Sequence, residues 1–203
     1  RSQINPHFLY NTLDSIIWMA EGGKNKEVVR MTSALARLLR QSISNDNERI
    51  PLEKEVDYAG SYLTIQKMRY KDKLEYEIEV AEDIKKEEII NLILQPLVEN
   101  AIYHGIKYKG SKGLIRIVGY GEGDHIVLKV IDNGIGMDEA ALKGIFDKSR
   151  ASEGNNGVGV HNVQTRIRLY YGAEYGLHFE STLGEGTTVT IIIPRNFREE
   201  ERG

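Results

Sequence analysis

The N-terminal part of the chain carries apolar residues at the spacing of two amphipathic helices. The first apolar stripe consists of Leu9, Leu13, Ile16 and Ala20, and the second of Val28, Met31, Leu35 and Leu38. Gly22-Gly23 separates them, and the second helix is expected from about Lys26 to Ser44, so residues 1–46 are predicted to form a helical hairpin. Two helices alone make a thin core. We therefore expect a homodimer, in which the hairpin of a second copy completes a four-helix bundle.

Beyond a polar linker at residues 44–47, the pattern predicts a second domain over residues 47–203. Helices are expected from Pro51, with an inner face of Leu52, Val56, Ala59 and Leu63, and near 90–106 and 160–171. Alternating apolar residues predict strands near 74–80, 114–120, 125–132, 177–181 and 187–194. Gly-containing turns favour hairpins between neighbouring strands. The expected fold class is α+β, an N-terminal helical hairpin followed by one mixed sheet with helices on one face.

Composition narrows the class of protein. The 203 residues are 40% hydrophobic and 28% charged, which suffices for a folded core. A formal net charge of -3 gives no bulk electrostatic reason to expect a nucleic acid or an anionic membrane surface as partner. Cysteine is absent, which excludes disulfides, thiolate zinc sites and a cysteine nucleophile. No apolar run approaches the roughly 20 residues of a membrane span. Because the chain starts at Arg1 within a helical pattern, we expect it to be a piece of a longer protein.

A polar row follows the apolar side of the helix predicted near 90–106. Asn100, His104 and Lys107 recur at i, i+4 and i+7, which places an amide, an imidazole and an ammonium along one face. Such a row could hold a metal–phosphate group. An ordinary solvated helix face explains the same spacing, and the row alone does not decide between the two interpretations.

Two Gly-rich segments offer further candidate chemistry. Asp132, at the end of a predicted strand and followed by Gly134 and Gly136, could accept a hydrogen bond from an exocyclic amine, or it could belong to a plain turn. Gly157 and Gly159 open a predicted helix, where free N–H groups favour an anion. The chain lacks both the strand that a Rossmann motif needs directly before such glycines and a Walker Gly-Lys-Ser/Thr sequence, which disfavours both common nucleotide folds.

The order and spacing of these segments are more specific than any one of them. An Asn-bearing helix, Asp-x-Gly-x-Gly, Gly-x-Gly and finally Gly184-Glu185-Gly186-Thr187-Thr188 resemble the N, G1, G2 and G3 boxes of the ATPase superfamily that groups gyrase, the heat-shock chaperone, histidine kinases and the mismatch-repair protein. The resemblance spans about residues 94–194 and implies ATP and Mg²⁺ as cofactors, bound in the α/β sandwich of that superfamily. It implies Asn100 as the Mg²⁺ ligand, Asp132 at the adenine amino group and Thr188 at the adenine edge. It assigns Gly134, Gly136, Gly157 and Gly159 to the lid.

The opening segment narrows the resemblance. Residues 3–13, Gln-Ile-Asn-Pro-His-Phe-Leu-Tyr-Asn-Thr-Leu, resemble the phosphoacceptor motif of LytS/YesM-type bacterial sensor histidine kinases. This implies that ATP phosphorylates His7 and that the phosphoryl group passes to an Asp of a response regulator receiver domain. It also implies membrane-spanning and sensory regions upstream, with this part on the cytoplasmic side of the membrane. Helical spacing separates His7, Asn11 and Asp14 from the apolar stripe, so we expect His7 to be exposed.

Two positions depart from the broader histidine kinase pattern. Phe8 stands where many such kinases have an acidic residue directly after the phosphoacceptor, so Glu99 becomes the candidate base, with Asn11 orienting the His7 ring or a water. Tyr103 stands where a Lys is common three residues past the Asn, so Lys107 or His104 is expected to contact phosphate instead. Two other functions stay open: a nucleotide-gated module that transfers no phosphoryl group, and an ATP-hydrolysing clamp.

Overall fold

The computed structural model describes residues 4–44, 47–146 and 156–197. The chain opens with two helices, α1 (Pro6–Glu21) and α2 (Asn25–Ser44), joined by a turn in which Gly23 has φ +70°. The side chain of Asn5 caps α1 by accepting the backbone N–H of His7, and Pro6 occupies the first helical position. Gln3 of the phosphoacceptor motif and residues 45–46 of the predicted linker lie outside the described residues.

The buried face of α1 differs from the predicted stripe. Phe8, Thr12 and Met19 are the buried residues, whereas Leu13 and Ala20 are exposed. The reason is that α1 packs against another helix, which lies further along the chain and carries Tyr62. Phe8 packs against Tyr62 with ring centroids 5.0 Å apart, and a buried Thr12 satisfies its hydroxyl by donating to the carbonyl of Phe8. In α2 the predicted residues Met31, Leu35 and Leu38 are buried, so that stripe is confirmed.

The second part of the chain begins with β1 (Arg49–Pro51), which leads directly into α3 (Leu52–Tyr70). β1 pairs with the short strand β3 (Glu88–Ile90) in an antiparallel two-stranded sheet that the pattern of residues did not predict. The inner face of α3 includes the expected Leu52, Ala59 and Leu63. It also includes a buried carboxylate, that of Glu55, which the pattern of residues did not predict.

A five-stranded sheet forms the centre of this part. Its strands are β2 (Leu74–Val80), β4 (Gly113–Glu122), β5 (His125–Asp132), β6 (Gly176–Thr182) and β7 (Gly186–Pro194), in the order β2-β4-β5-β7-β6. β2 pairs parallel with β4, and the other pairs are antiparallel, so the sheet is mixed. The remaining helices are α4 (Gln95–Asn100), α5 (Glu139–Lys143) and α6 (Asn156–Tyr171). The predicted α+β class is confirmed.

The helix predicted near 90–106 is wrong in its extent. Ile90 ends strand β3, α4 begins only at Gln95, and after Asn100 the chain continues as a π-helical turn, Ala101–Ile106. A single-turn π segment inside a helix is a feature often found at functional sites. The predicted loop between Gly134 and Gly159 also contains α5, which was missed. None of the described helices is long and apolar enough to cross a membrane.

Glu55 joins α3 to the start of α4. Its carboxylate accepts the backbone N–H of Leu92 at 2.6 Å and that of Leu94 at 3.1 Å. Burial raises the pKa of Glu55, and the hydrogen bonds from the backbone N–H groups of residues 92–94 oppose this shift. The carboxylate therefore satisfies backbone donors that would otherwise be buried without an acceptor at the beginning of this six-residue helix.

We expect Glu55→Ala to lower the free energy of unfolding by about 2–3 kcal/mol, because it leaves several buried N–H groups without acceptors. Urea unfolding followed by circular dichroism measures the change. Glu53→Ala is the matched control, since Glu53 is exposed in the same first turn of α3. Equal shifts for the two variants would contradict the capping role.

Candidate functional site

A cavity of about 460 Å³ opens between α4 with its π-helical turn, the ends of β5 and β7, and the start of α6. Its polar lining comes from Asn100, His104, Tyr108, Asp132 and Thr187. Its apolar lining includes Leu97, Ala101, Val130, Ile135, Met137, Ile145, Val160 and Val189. A largely apolar cavity of this size with a few convergent polar groups is typical of a small-molecule site.

Asp132 supplies the buried acidic group of the cavity. It ends β5, and its Oδ1 accepts the backbone N–H of Gly134 at 2.9 Å. Burial raises the pKa of Asp132 to about 6, and the N–H groups of Gly134 and Thr187 and the charge of Lys109 oppose the shift. The carboxylate thus stays available as an acceptor at neutral pH.

Glycines shape the space around Asp132. A Cβ on Gly105 would lie 2.7 Å from Asp132 Oδ1, so only glycine lets the π-helical turn approach the carboxylate this closely. A Cβ on Gly134 would collide with the backbone of Gly105, which makes Gly134 a packing residue behind the cavity. Gly136 lines the cavity itself at φ +66°, where a Cβ would collide with the carbonyl of Thr182.

Only part of the predicted polar row of Asn100, His104 and Lys107 reaches the cavity. Asn100 and His104 both line the cavity, and burial lowers the pKa of His104, which favours its neutral imidazole. The ammonium of Lys107 does not line it. It lies 4.6 Å from the ring centroid of Tyr103 and 5.5 Å from that of Tyr108, as a cation–π contact.

The register of the sheet corrects the predicted place of Thr188 at the site. Asp132 pairs with Thr187, and alternate residues of a strand point to opposite faces, so Thr187 and Val189 line the cavity. Thr188 pairs with Ile131 and faces a depression on the other side of the sheet together with Arg116. The predicted contact residue is therefore off by one position, and Thr187 takes its place.

The glycines of the second Gly-rich segment lie in the first turn of α6. Gly154 and Asn155 of that segment lie outside the described residues. A Cβ on Gly159 would be 3.8 Å from Cβ of Pro96, so α6 starts in contact with α4. The free N–H groups at the start of a helix suit an anion.

Glu99 belongs to a polar cluster between α3 and α4. Gln95 Nε2 donates to Tyr58 Oη at 2.6 Å and to Glu99 Oε1 at 2.9 Å. Burial raises the pKa of Glu99, and the hydrogen bond from Gln95 opposes this shift. Burial and then the charge of Glu99 raise the pKa values of Tyr58 and Tyr62, so both phenols face this carboxylate.

The N-terminus of α1 adjoins this cluster through one contact. Phe8, the residue after His7, rests on Tyr62. The side chain of His7 is exposed, as expected, and Asn11 is half-buried one turn further along α1. His7 and Asn11 are thus not part of the cavity, but their helix starts beside the tyrosine that faces Glu99.

Sequence reasoning missed Thr187, Gly105 and Tyr108. Counting the alternation of β7 from the G3 box could have assigned Thr187 once its pairing with Asp132 was known. Gly105 and Tyr108 gave no signal, because their roles arise from the π-helical turn. Within the described residues, no group of three or more His, Cys, Asp or Glu side chains could hold a metal ion. A divalent cation at Asn100 would take further oxygen ligands from water or from a bound nucleotide.

Two family models match the chain. Residues 1–74 match the histidine kinase model, and residues 85–196 match the model described as histidine kinase-, DNA gyrase B-, and HSP90-like ATPase. The second match covers more than half of the chain.

Curated relatives are similar over almost the whole chain. Sensor histidine kinase YesM of Bacillus subtilis is 37% identical over 194 residues, which are 96% of this chain and 32% of that protein. Sensor protein LytS of Bacillus cereus is 29% identical over 203 residues, which are 100% of this chain and 34% of that protein. The chain therefore spans about a third of the length of these relatives.

Among solved structures, the histidine kinase domain of the blue-light activated histidine kinase from Erythrobacter litoralis is similar with a TM-score of 0.55. The match covers 97% of this chain and 89% of that one at 18% sequence identity, which shows a common fold.

We expect Gly105→Ala to weaken adenine nucleotide binding by about tenfold or more. The added methyl group displaces the Asp132 carboxylate, and a hydrogen bond to a charged group contributes roughly 1.5–3 kcal/mol. Isothermal titration calorimetry with ADP measures the effect. Gly110→Ala is the control, because a Cβ there meets no atom within 4 Å. Unchanged affinity in Gly105→Ala would show that the close approach does not matter for binding.

Proposed function

The chain belongs to the histidine kinase-, DNA gyrase B- and HSP90-like ATPases and, within them, to the sensor histidine kinases, and we propose that it binds ATP in the Asp132 cavity and transfers the terminal phosphoryl group to His7. The observation that carries this proposal is the contact between Phe8 and Tyr62. It places the start of the His7-bearing helix against Tyr62, whose phenol is influenced by the charge of Glu99, the neighbour of the cavity residue Asn100.

The adenine end of the nucleotide would bind at Asp132. The carboxylate accepts a hydrogen bond from the adenine amino group, and Thr187 contacts the ring edge. Apolar residues of the cavity cover the ring faces. Gly136 lines the cavity, and Gly134 lets the turn after β5 pack against Gly105 behind it.

The phosphates would bind between α4 and α6. The N–H groups near Gly157 and Gly159 hold the anionic oxygens, and His104 adds a polar contact from the cavity wall. Asn100 offers an amide oxygen, a hard ligand of the kind Mg²⁺ takes, and the remaining ligands fit phosphate oxygens. Mg²⁺ held there would neutralise negative charge on the phosphate oxygens. Lys107 lies just outside, and we propose that it contacts phosphate after leaving the rings of Tyr103 and Tyr108.

Phosphoryl transfer needs an unprotonated ring nitrogen of His7. That nitrogen attacks the γ-phosphorus in line, the bond from phosphorus to the bridging oxygen breaks, and ADP leaves. The protein mainly aligns the two reactants. Glu99, whose carboxylate Gln95 orients, is the candidate acceptor of the ring proton, and Asn11 is the candidate for orienting the His7 ring.

The two parts of the chain would divide the work. Residues 1–46 supply the phosphoacceptor and the dimer contact, and residues 47–203 bind the nucleotide. An exposed apolar stripe on α1 supports a homodimer: Tyr10 is 66%, Leu13 42% and Ile17 57% exposed. Phosphorylated His7 would then donate its phosphoryl group to an Asp of a response regulator receiver domain. We also propose a membrane anchor elsewhere in the longer protein, with this part at the cytoplasmic side.

Incubation with Mg²⁺ and γ-³²P-labelled ATP should give an acid-labile, base-stable phosphate on the wild-type chain. We expect His7→Gln to lose it and His178→Gln to keep it, because His178 is an exposed histidine far from α1 in sequence. Nucleotide binding without any label would favour the nucleotide-gated module, and steady ATP hydrolysis that survives His7→Gln would favour the clamp.

Nucleotide affinity should depend on the protonation of Asp132. The pKa of about 6 means that the carboxylate is ionised above pH 6 and protonated below it, so affinity is lost as the pH falls. Between pH 7.5 and 5 we expect about a tenfold loss for wild type relative to Asp132→Asn, which has no carboxyl proton to gain. Calorimetric titration with ADP at both pH values measures it. Titration of the nucleotide and of His104 affects both proteins and cancels, so parallel pH curves would contradict the assignment.

We expect the wild-type chain to sediment at micromolar concentration as a dimer of about twice its 23.0 kDa mass. Leu13→Glu should give a monomer, because a carboxylate in the apolar stripe would be buried without a partner. Leu169→Glu is the control, since Leu169 is an 80% exposed leucine on α6. A dimer that withstands Leu13→Glu would place the contact elsewhere.

A further inference from the structure

Arg166 connects the phosphate-side helix α6 to the start of α4. Its Nη1 donates to the carbonyl of Leu92 at 3.1 Å, and its Nη2 donates to Asn91 Oδ1 at 2.8 Å. The amide Nδ2 of Asn91 in turn donates to the carbonyl of Asn47 at 2.7 Å. One planar guanidinium therefore holds Asn91 and Leu92, two residues of the segment before α4, a geometry that a lysine ammonium does not reproduce.

The segment that Arg166 holds is conformationally unusual. Leu92 has φ +58°, a region that a residue with a Cβ rarely adopts and that persists only where surrounding contacts require it. Two side chains supply those contacts from opposite sides. Glu55 accepts a hydrogen bond from the N–H of Leu92, and Arg166 donates one to the carbonyl of Leu92. The charge of Glu55 also faces Arg166, so the two side chains stabilise each other across the backbone.

This arrangement determines where Asn100 lies. Asn100 is the last of the six residues of α4, so a shift at Leu92 reaches Asn100 through a single short helix. The same α6 that carries Arg166 begins with Gly157 and Gly159, and Gly159 approaches Pro96 of α4. Helix α6 thus contacts the first turn of α4 through Gly159 and the segment before α4 through Arg166, two turns further along α6.

We propose that Arg166 is a positioning residue of the nucleotide site, which keeps Asn100 at the distance from the start of α6 that a nucleotide-bound metal ion requires. The proposal rests on the proposed function, in which Asn100 supplies a Mg²⁺ ligand and α6 binds the phosphates. Arg166 itself lies outside the cavity and acts through α4.

A purely structural role predicts a different result from a positioning role. If Arg166 only stabilises the fold, its loss lowers the unfolding temperature. It then also lowers the affinity for the nucleotide to the same extent with and without Mg²⁺. If it positions Asn100, the folded variant loses chiefly the part of the affinity that Mg²⁺ contributes. Adenine recognition by Asp132 comes from β5 and is retained.

The test compares Arg166→Gln, Arg166→Lys and the control Arg168→Gln, since Arg168 is exposed on the same helix. Calorimetric titration with ADP is carried out with Mg²⁺ and with EDTA, and thermal unfolding gives the folded fraction. We expect Arg166→Gln to lose about tenfold in affinity for MgADP, as is typical when a partner that orients a metal ligand is removed. Its affinity for ADP in EDTA should change less than about twofold. Arg166→Lys should lose part of the Mg²⁺-dependent affinity, and Arg168→Gln none.

Equal losses with and without Mg²⁺, or no loss in a folded Arg166 variant, would overturn the proposal. If Arg166→Gln does not fold, Arg166→Lys decides by the same criterion. A wild-type protein that binds no nucleotide would overturn both this inference and the proposed function. A Mg²⁺-dependent loss in the Arg166 variants alongside an unlabelled His7 would support the inference and overturn the phosphoryl transfer alone.

Discussion

Glu55 lies buried where α3, the start of α4 and α6 meet, and its carboxylate accepts backbone N–H groups of residues 92–94. A buried carboxylate without partners is strongly unfavourable, so its position is fixed by the donors that offset the loss of water. The start of α4 in turn depends on Glu55. A six-residue helix such as α4 has little stability of its own, and its start contains the unusual backbone of Leu92. Glu99 and Asn100 are therefore placed by a group that touches neither of them.

Helix α3 serves as the wall that both parts of the chain share. Glu55 contacts the start of α4, Tyr58 accepts a hydrogen bond from Gln95, and the charge of Glu99 acts on both Tyr58 and Tyr62. Tyr62 also receives Phe8 of α1. One helix therefore contacts the segment that carries the candidate metal ligand and the segment that carries the candidate phosphoacceptor. Contacts of α3 with both segments therefore help to set their relative arrangement.

The sequence allowed the fold class, the five strands of the central sheet and most helices of this chain to be predicted, because the residue periods of those strands and of α2 reflect simple two-sided burial. The short strands β1 and β3 were not predicted. Asp132 and the box glycines were singled out from their order along the chain, and Asp132 and Gly136 line the cavity. The failures have a common cause in contacts that no local period encodes. The buried face of α1 is set by Tyr62, over fifty positions further along, and Thr188 gave way to Thr187 through strand pairing. The bend from α4 into a π-helical turn and the capping by Glu55 likewise depend on tertiary neighbours.

The packing of Phe8 has a mechanical consequence for the residue before it. Consecutive residues of an α-helix differ by about 100° in azimuth, and both turn together when the helix rotates about its axis. As long as Phe8 sits on Tyr62, the angular setting of the imidazole around α1 is fixed relative to α3. A rotation of α1 about its axis must therefore first separate the rings of Phe8 and Tyr62. A torque too weak to separate them does not change the direction in which the Cα–Cβ bond of His7 points.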